Sequence, residues 1–231
     1  MRRSVSILFV FLVVLGLGLP LAAQPFPPFP STPFTPPLTP ENLWKQLEYG
    51  NAKYQGGSLP YSDIDGARDR TKNKQQPPVT VLSCSDSRVP PELIFARTVG
   101  DLFVVRVAGN AASTFDIASI EYAIDHKWTK LIVVMGHENC GAVEAALERD
   151  DPGTPSLDAL VQRIRESFIG WQTWTGPNSE HLEKAVKANA RSSAAYLLAH
   201  STVIRKAVLE GRVGLIVAYY KLKSGEVEVL P

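Results

Sequence analysis

The sequence VTVLSCSDSR, residues 79–88, joins a short apolar run to a polar loop, and it determines the expected fold. Its first four residues are β-branched or apolar, which is typical of a strand buried on both faces. Three similar runs occur along the chain, LFVVRVA at 102–108, KLIVVM at 130–135 and GLIVAYY at 214–220. The sequence therefore predicts four buried strands.

Helical patterns separate these runs. A helix is predicted to begin at Pro40 with Thr39 as its cap, and others follow Asn110, begin near Cys140 and occupy most of 157–204. A polar, turn-rich connection without a helix is expected between Gly57 and Pro77. Alternating strands and helices indicate an α/β fold with a mostly parallel sheet flanked by helices. The alternating residues 226–230, after a Ser-Gly turn, add a C-terminal β-hairpin.

The first forty residues differ in character from the rest. Residues 1–23 have paired arginines, an apolar stretch and a small-residue site ending at Ala23, the pattern of a secretory signal peptide. Residues 24–40 (QPFPPFPSTPFTPPLTP) form a Pro-rich linker, and residues 41–231 form one domain. The chain is therefore expected to be exported to a periplasmic, luminal or extracellular space. The alternative is a membrane anchor that stays uncleaved.

Composition limits the choice of partners. With 45% hydrophobic and 20% charged residues, the chain is able to form a sizeable core. A formal net charge of +1 gives no general attraction to nucleic acid or to an anionic membrane surface. No nucleic-acid partner is expected, and a membrane is contacted only through an uncleaved N-terminal segment.

A metal site is indicated by Cys84, His137 and Cys140. Cys84 closes the first predicted strand, and the His-x-x-Cys turn follows the third, so a parallel sheet brings them to one edge. Two thiolates and one imidazole suit Zn²⁺ and leave its fourth tetrahedral position open. In an exported protein the alternative for two cysteines is a disulfide without metal.

Four motifs resemble those of the β-class carbonic anhydrases: SCSDSRVPPE at 83–92, DLFVVR with the later Gly-Asn pair at 101–110, SIEYA at 119–123 and GHENCGAV at 136–143. The resemblance covers essentially all of 41–231. It implies reversible hydration of carbon dioxide to bicarbonate and a proton, with zinc on Cys84, His137 and Cys140. It also implies a homodimer as the building block, or a higher homo-oligomer.

The resemblance gives Asp86 and Arg88 a catalytic role. Zinc lowers the pKa of a bound water, and Asp86, held by Arg88, would orient the resulting hydroxide toward carbon dioxide. In a closed form Asp86 would leave Arg88 and become the fourth zinc ligand. A bicarbonate-regulated subclass has tryptophan and glycine where this chain has Val81 and Ser83. The chain therefore resembles the plant-like, unregulated subclass, and the open form is predicted.

The resemblance also places Gln75, Phe103 and Tyr122 around the substrate. Gln76 adjoins Gln75, so that assignment is open by one residue, and the two aromatics are equally consistent with core residues. Arg106 is expected to be an ion-pair partner near the dimer interface. Three rival functions stay open: a hydrolase of carbonyl sulfide or carbon disulfide on the same scaffold, a non-catalytic metal-bound interaction module, and a metal-free disulfide protein.

Overall fold

The structure, a computed structural model, describes residues 33–58, 63–148, 153–168 and 179–231. The predicted signal peptide (1–23) and the first part of the predicted linker lie outside these residues. Among the described residues, no helix combines the length and the apolar character needed to cross a bilayer.

One five-stranded sheet organises the described residues. Its strands, in spatial order β2-β1-β3-β4-β5, run parallel except for β5, which is antiparallel to β4. The predicted α/β class, the parallel sheet and the C-terminal hairpin are therefore confirmed. The strands are β1 (Val79–Ser83), β2 (Leu102–Arg106), β3 (Leu131–His137), β4 (Gly214–Tyr220) and β5 (Val227–Val229).

Helices cover the sheet. The predicted first helix begins at Pro40, where the Thr39 hydroxyl accepts a hydrogen bond from the Asn42 amide. The helices are α1 (Pro40–Gln55), α2 (Ile64–Thr71), α3 (Pro91–Ile94), α4 (Thr114–Asp125), α5 (Gly141–Glu148), α6 (Pro155–Arg165), α7 (Ser179–His200) and α8 (Thr202–Leu209), with 3-10 turns at Ala108–Asn110 and Glu166–Phe168.

Helix α2 corrects the expectation of a helix-free connection between Gly57 and Pro77. Its sequence IDGARDRT contains a glycine and four charged residues and buries only Ala67, so it has no apolar stripe for a pattern to detect. The Asp63 carboxylate caps it by accepting a hydrogen bond from the Gly66 amide at 3.0 Å. Capping and tertiary contact, rather than amphipathic periodicity, define this helix.

Alternate strand residues pack into two hydrophobic clusters. One cluster contains Val79 and Val81 of β1 with Val133 of β3, and also Cys84 and Cys140. The other contains Leu82 of β1 and Ile132 of β3, together with residues of α4 and α8. Because strand side chains alternate between faces, β1 and β3 are buried on both sides, as their continuous apolar runs predict. The prediction is only partly right for β2 and β4, which are half-buried over much of their length.

The last residues of the Pro-rich segment lie against the domain. The Phe34 ring covers the buried Arg97 guanidinium, whose carbon is 4.0 Å from the ring centroid. The Thr35 amide donates to the Gln46 side-chain oxygen at 2.8 Å, and the Gln46 side-chain amide donates to the Thr35 carbonyl at 3.0 Å. These contacts attach residues 33–39 to α1 and to the loop that precedes β2.

Candidate metal centre

Three metal-binding side chains meet at the carboxyl edge of the sheet. Cys84 follows β1, His137 ends β3 and Cys140 precedes α5, and β1 and β3 pair in parallel with Ser83 opposite Met135. This register brings the strand ends together. The three ligand atoms lie within 4.8 Å of one another, and all three residues are buried.

His137 is oriented for metal binding by its own turn. Its Nδ1 donates to the Glu138 carbonyl at 2.9 Å, which fixes the ring and leaves Nε2 with a free lone pair. Nε2 is buried and has no hydrogen-bond partner among the described residues. Leaving a buried ring nitrogen unpaired is unfavourable unless a ligand binds it, so the site fits a metal ion.

The two cysteines are free thiols in mutual contact. A hydrogen bond from Cys140 is the largest cause that lowers the pKa of the Cys84 thiol; burial opposes it, and His137 lowers the pKa as well. The same contact between the two thiols is the largest cause that raises the pKa of Cys140, and burial of its thiol is the second. The sulfur of Cys84 also accepts hydrogen bonds from the amides of Gly109 at 3.2 Å and Asp86 at 3.4 Å.

Asp86 and Arg88 form a two-point ion pair beside the cluster. Arg88 Nε donates to Asp86 Oδ1 at 2.9 Å and an Nη to Oδ2 at 2.7 Å. The Arg88 side chain holds the pKa of Asp86 well below its usual range, so the carboxylate is ionised. Asp86 Oδ2 is 4.0 Å from His137 Nε2. Arg88 also donates to the Asn139 carbonyl at 3.2 Å, which joins this loop to the histidine turn.

The prediction that Arg106 is an ion-pair partner near a dimer interface stays a prediction. Within one chain, its guanidinium donates to two backbone carbonyls, those of Cys84 at 3.0 Å and Asp86 at 2.5 Å. The reason is its position at the end of β2, next to the loop that leaves β1. Arg106 therefore holds the backbone that carries the first cysteine and the aspartate.

The structure does not bring Gln75, Phe103 and Tyr122 to the metal ligands within one chain. Phe103 is in register with Thr80, four residues before Cys84, which is ~13 Å along the strand. Phe103 packs against the hydrophobic cluster that does not contain Cys84. The centroid of its ring is 6.4 Å from that of the half-exposed Tyr122 ring. Gln75 is exposed before the start of β1. Strand polarity explains the separation, since Cys84 lies at the other end of β1.

Two residues outside the ligand set support the centre, and only one of them belongs to the motifs seen in the sequence. Gly109 donates its amide to Cys84, and buried Asn189 on α7 donates to the Gly109 carbonyl at 2.6 Å. The Gly-Asn pair after the second strand was part of the resemblance, but nothing in the pattern of α7 distinguishes Asn189. Its contact depends on how a distant helix crosses the sheet.

An α/β fold with a Cys-His-Cys cluster at the carboxyl edge of its sheet defines a class of metalloprotein. Comparison with known proteins gives the family: residues 79–227 match the family model described as Carbonic anhydrase. The chain is 33% identical over 199 residues to a carbonic anhydrase of Mycolicibacterium smegmatis, covering 84% of this chain and 95% of that protein.

Solved structures agree with this assignment. The Coccomyxa β-carbonic anhydrase in complex with acetazolamide superimposes with a TM-score of 0.64 at 26% identity, covering 85% of this chain and 87% of that one. A β-carbonic anhydrase of Sordaria macrospora, described as tetrameric, gives a TM-score of 0.63 at 25% identity, covering 82% and 97%. The chain belongs to the carbonic anhydrase family, in its β class, as its motifs predict.

The contact between the thiols predicts the behaviour of metal-free protein. Hydrogen peroxide should join Cys84 to Cys140, with both thiol hydrogens and two electrons passing to the peroxide to give water. A thiol titration after treatment should fall from two free thiols per chain to none. Metal-loaded protein, treated in parallel, should keep both. Two free thiols in the oxidised metal-free sample would contradict this expectation.

Proposed function

We propose that the chain binds Zn²⁺ through Cys84, His137 and Cys140 and catalyses the reversible hydration of carbon dioxide to bicarbonate and a proton. The observation that carries this proposal is the convergence of the three ligand atoms within 4.8 Å, beside an ionised carboxylate. Membership of the carbonic anhydrase family supports the reaction.

Zinc is the metal that the donor set favours. Thiolates and imidazole are soft or intermediate ligands, unlike the oxygen ligands that Mg²⁺ and Ca²⁺ require, and three protein ligands are typical of catalytic zinc. When bound, zinc supplies a hydroxide near neutral pH by acidifying a water molecule. His137 supports this assignment because its Nδ1 is already committed to the Glu138 carbonyl, as in other histidine ligands of zinc.

Asp86 orients the nucleophile. Its ionised carboxylate lies next to the cluster and accepts hydrogen bonds, so it fixes the direction in which a nearby hydroxyl presents its lone pair. Arg88 holds both carboxylate oxygens, and its third contact, to Asn139, limits movement of the pair. We propose that the open form, with Asp86 on Arg88, is the active one and that it lacks regulation by bicarbonate.

A homo-oligomer would complete the substrate pocket. Phe103 and Tyr122 lie at the sheet edge formed by β2, where the backbone has a partner strand on one side only among the described residues. Within one chain they are remote from Cys84. If these aromatics and Gln75 contact carbon dioxide, they do so from a second copy of the chain placed against that edge. The tetrameric Sordaria macrospora relative is consistent with such assembly.

We further propose that the chain is exported, with cleavage after Ala23, or is held at a membrane by an uncleaved N-terminal segment. The support is the sequence pattern of residues 1–23. Phe34 and Thr35, near the start of the described residues, contact the loop before β2 and α1, respectively.

Stopped-flow measurement of carbon dioxide hydration on the purified chain, with zinc quantified in the same sample, tests the proposal. The expected result is rapid hydration with about one zinc per chain, lost after chelation and restored by added zinc. A chain that binds stoichiometric zinc but does not hydrate carbon dioxide would refute carbon dioxide as the substrate. Absence of zinc together with absence of free thiols would refute the metal centre.

A further inference from the structure

A turn outside the ligand set contacts the Cys84 sulfur. The Gly109 amide donates to Cys84 Sγ at 3.2 Å from the 3-10 turn Ala108–Asn110. Gly109 has φ 63°, a left-handed backbone conformation that favours glycine. A hydrogen bond to a thiolate withdraws electron density from sulfur and reduces what it donates to a bound metal.

A buried amide holds this turn from the other side. Asn189 of α7 is 0% exposed, and its Nδ2 donates to the Gly109 carbonyl at 2.6 Å. Its Oδ1 accepts a hydrogen bond from the Ser167 hydroxyl at 3.1 Å. With both ends bonded, the Asn189 side chain has a single orientation. A continuous series of hydrogen bonds therefore runs from Ser167 through Asn189 and Gly109 to Cys84.

We propose that Asn189 is a positioning residue of the metal centre, which aims the Gly109 amide at Cys84 and so sets how strongly this thiolate donates to the metal. Ser167 acts one step further out by fixing the Asn189 amide. The inference rests on the proposed metal site but not on its substrate, because its main readout is the metal–sulfur bond.

The alternative is that Asn189 only satisfies a buried carbonyl. Such a role would alter stability and leave the metal–sulfur bond unchanged. A matched control exists one turn further along α7, where Ser193 is also 0% exposed and its hydroxyl has no hydrogen-bond partner among the described residues. Ser193→Ala removes a buried polar group from the same helix without removing a hydrogen bond to the Gly109 turn.

The experiment uses the full chain with Co²⁺ in place of zinc and records the thiolate-to-cobalt charge-transfer absorption. In Asn189→Ala the charge-transfer band should shift to longer wavelength. A thiolate that loses a hydrogen bond is easier to oxidise, so transfer of an electron from sulfur to cobalt takes less energy. Ser167→Ala should shift the band in the same direction by less, and Ser193→Ala should leave it in place. In the zinc forms, kcat/KM for Asn189→Ala should fall roughly 10-fold.

The outcomes separate the two hypotheses. Unshifted bands in Asn189→Ala and Ser167→Ala would overturn the positioning role, whatever the loss of stability. If Asn189→Ala does not fold, Ser167→Ala alone decides, because its side chain is only partly buried. A shifted band in a chain without carbon dioxide hydration would support the inference and refute the proposed reaction. Failure of the unsubstituted chain to bind Co²⁺ would overturn both the metal site and this inference.

Discussion

Replacing His137 by asparagine is expected to remove the bound metal and to lower kcat/KM for carbon dioxide hydration by more than 100-fold. Loss of a residue that merely orients a metal ligand costs roughly 10- to 100-fold, and here a ligand itself is lost. Asparagine retains an amide able to donate to the Glu138 carbonyl in place of Nδ1, but it has nothing at the position of Nε2. Metal content by atomic absorption and the hydration rate measure the effect.

His200→Asn is the matched control. The Nδ1 of His200 also donates to a backbone carbonyl, that of Tyr196 at 3.0 Å, but His200 is exposed and is not part of the cluster. This variant should keep its zinc and its rate. Retention of stoichiometric zinc in His137→Asn would show that the cluster is not the metal site.

Asp86→Asn is expected to keep zinc while lowering kcat/KM roughly 100-fold. Asparagine is nearly the same size but carries no charge, so it loses the ion pair with Arg88 and presents a donor where an acceptor is required. The hydrogen bonds of the Asp86 carboxylate go to Arg88 and not to a metal ligand. Zinc analysis should therefore give the same stoichiometry as the parent chain, while stopped-flow hydration shows the loss.

Asp63→Asn provides the comparison for this second variant. Asp63 also accepts hydrogen bonds from an arginine, Arg70 at 2.8 Å, and from a backbone amide, that of Gly66 at 3.0 Å. It caps α2, and asparagine is an equally good cap, so both stability and hydration should change little. Equal rates in Asp86→Asn and the parent chain would exclude the orienting role of Asp86.

The sheet could be predicted because its strands are continuous apolar runs bounded by turn residues. The same runs place Cys84 and the His137 turn at one edge, since parallel strands end together. Helix α2 could not be predicted because half of its residues are charged and its cap acts locally. Asn189 was missed because its contact with Gly109 joins elements far apart in the sequence, which no local pattern encodes.

The substrate pocket shows a different limit of sequence reasoning. Motif resemblance assigns Phe103 and Tyr122 to it, yet it says nothing about which copy of the chain supplies them. The parallel register separates Phe103 from the metal ligands of its own chain. Phe103 lies near the start of β2 beside Thr80, whereas Cys84 follows the end of β1. A role near the metal therefore depends on contacts between chains.

The division of the metal ligands between two strand ends has a consequence for folding kinetics. Cys84 and the His137 turn become neighbours only when β1 pairs with β3, and α3, β2 and α4 lie between these two strands in the sequence. Closing such a long crossover costs entropy before any pairing repays it, so non-local parallel pairing is slow. We therefore expect metal uptake to follow the pairing of β1 with β3, so that its rate reports on that pairing. From then on the bound ion stabilises the native state by mass action and slows its loss.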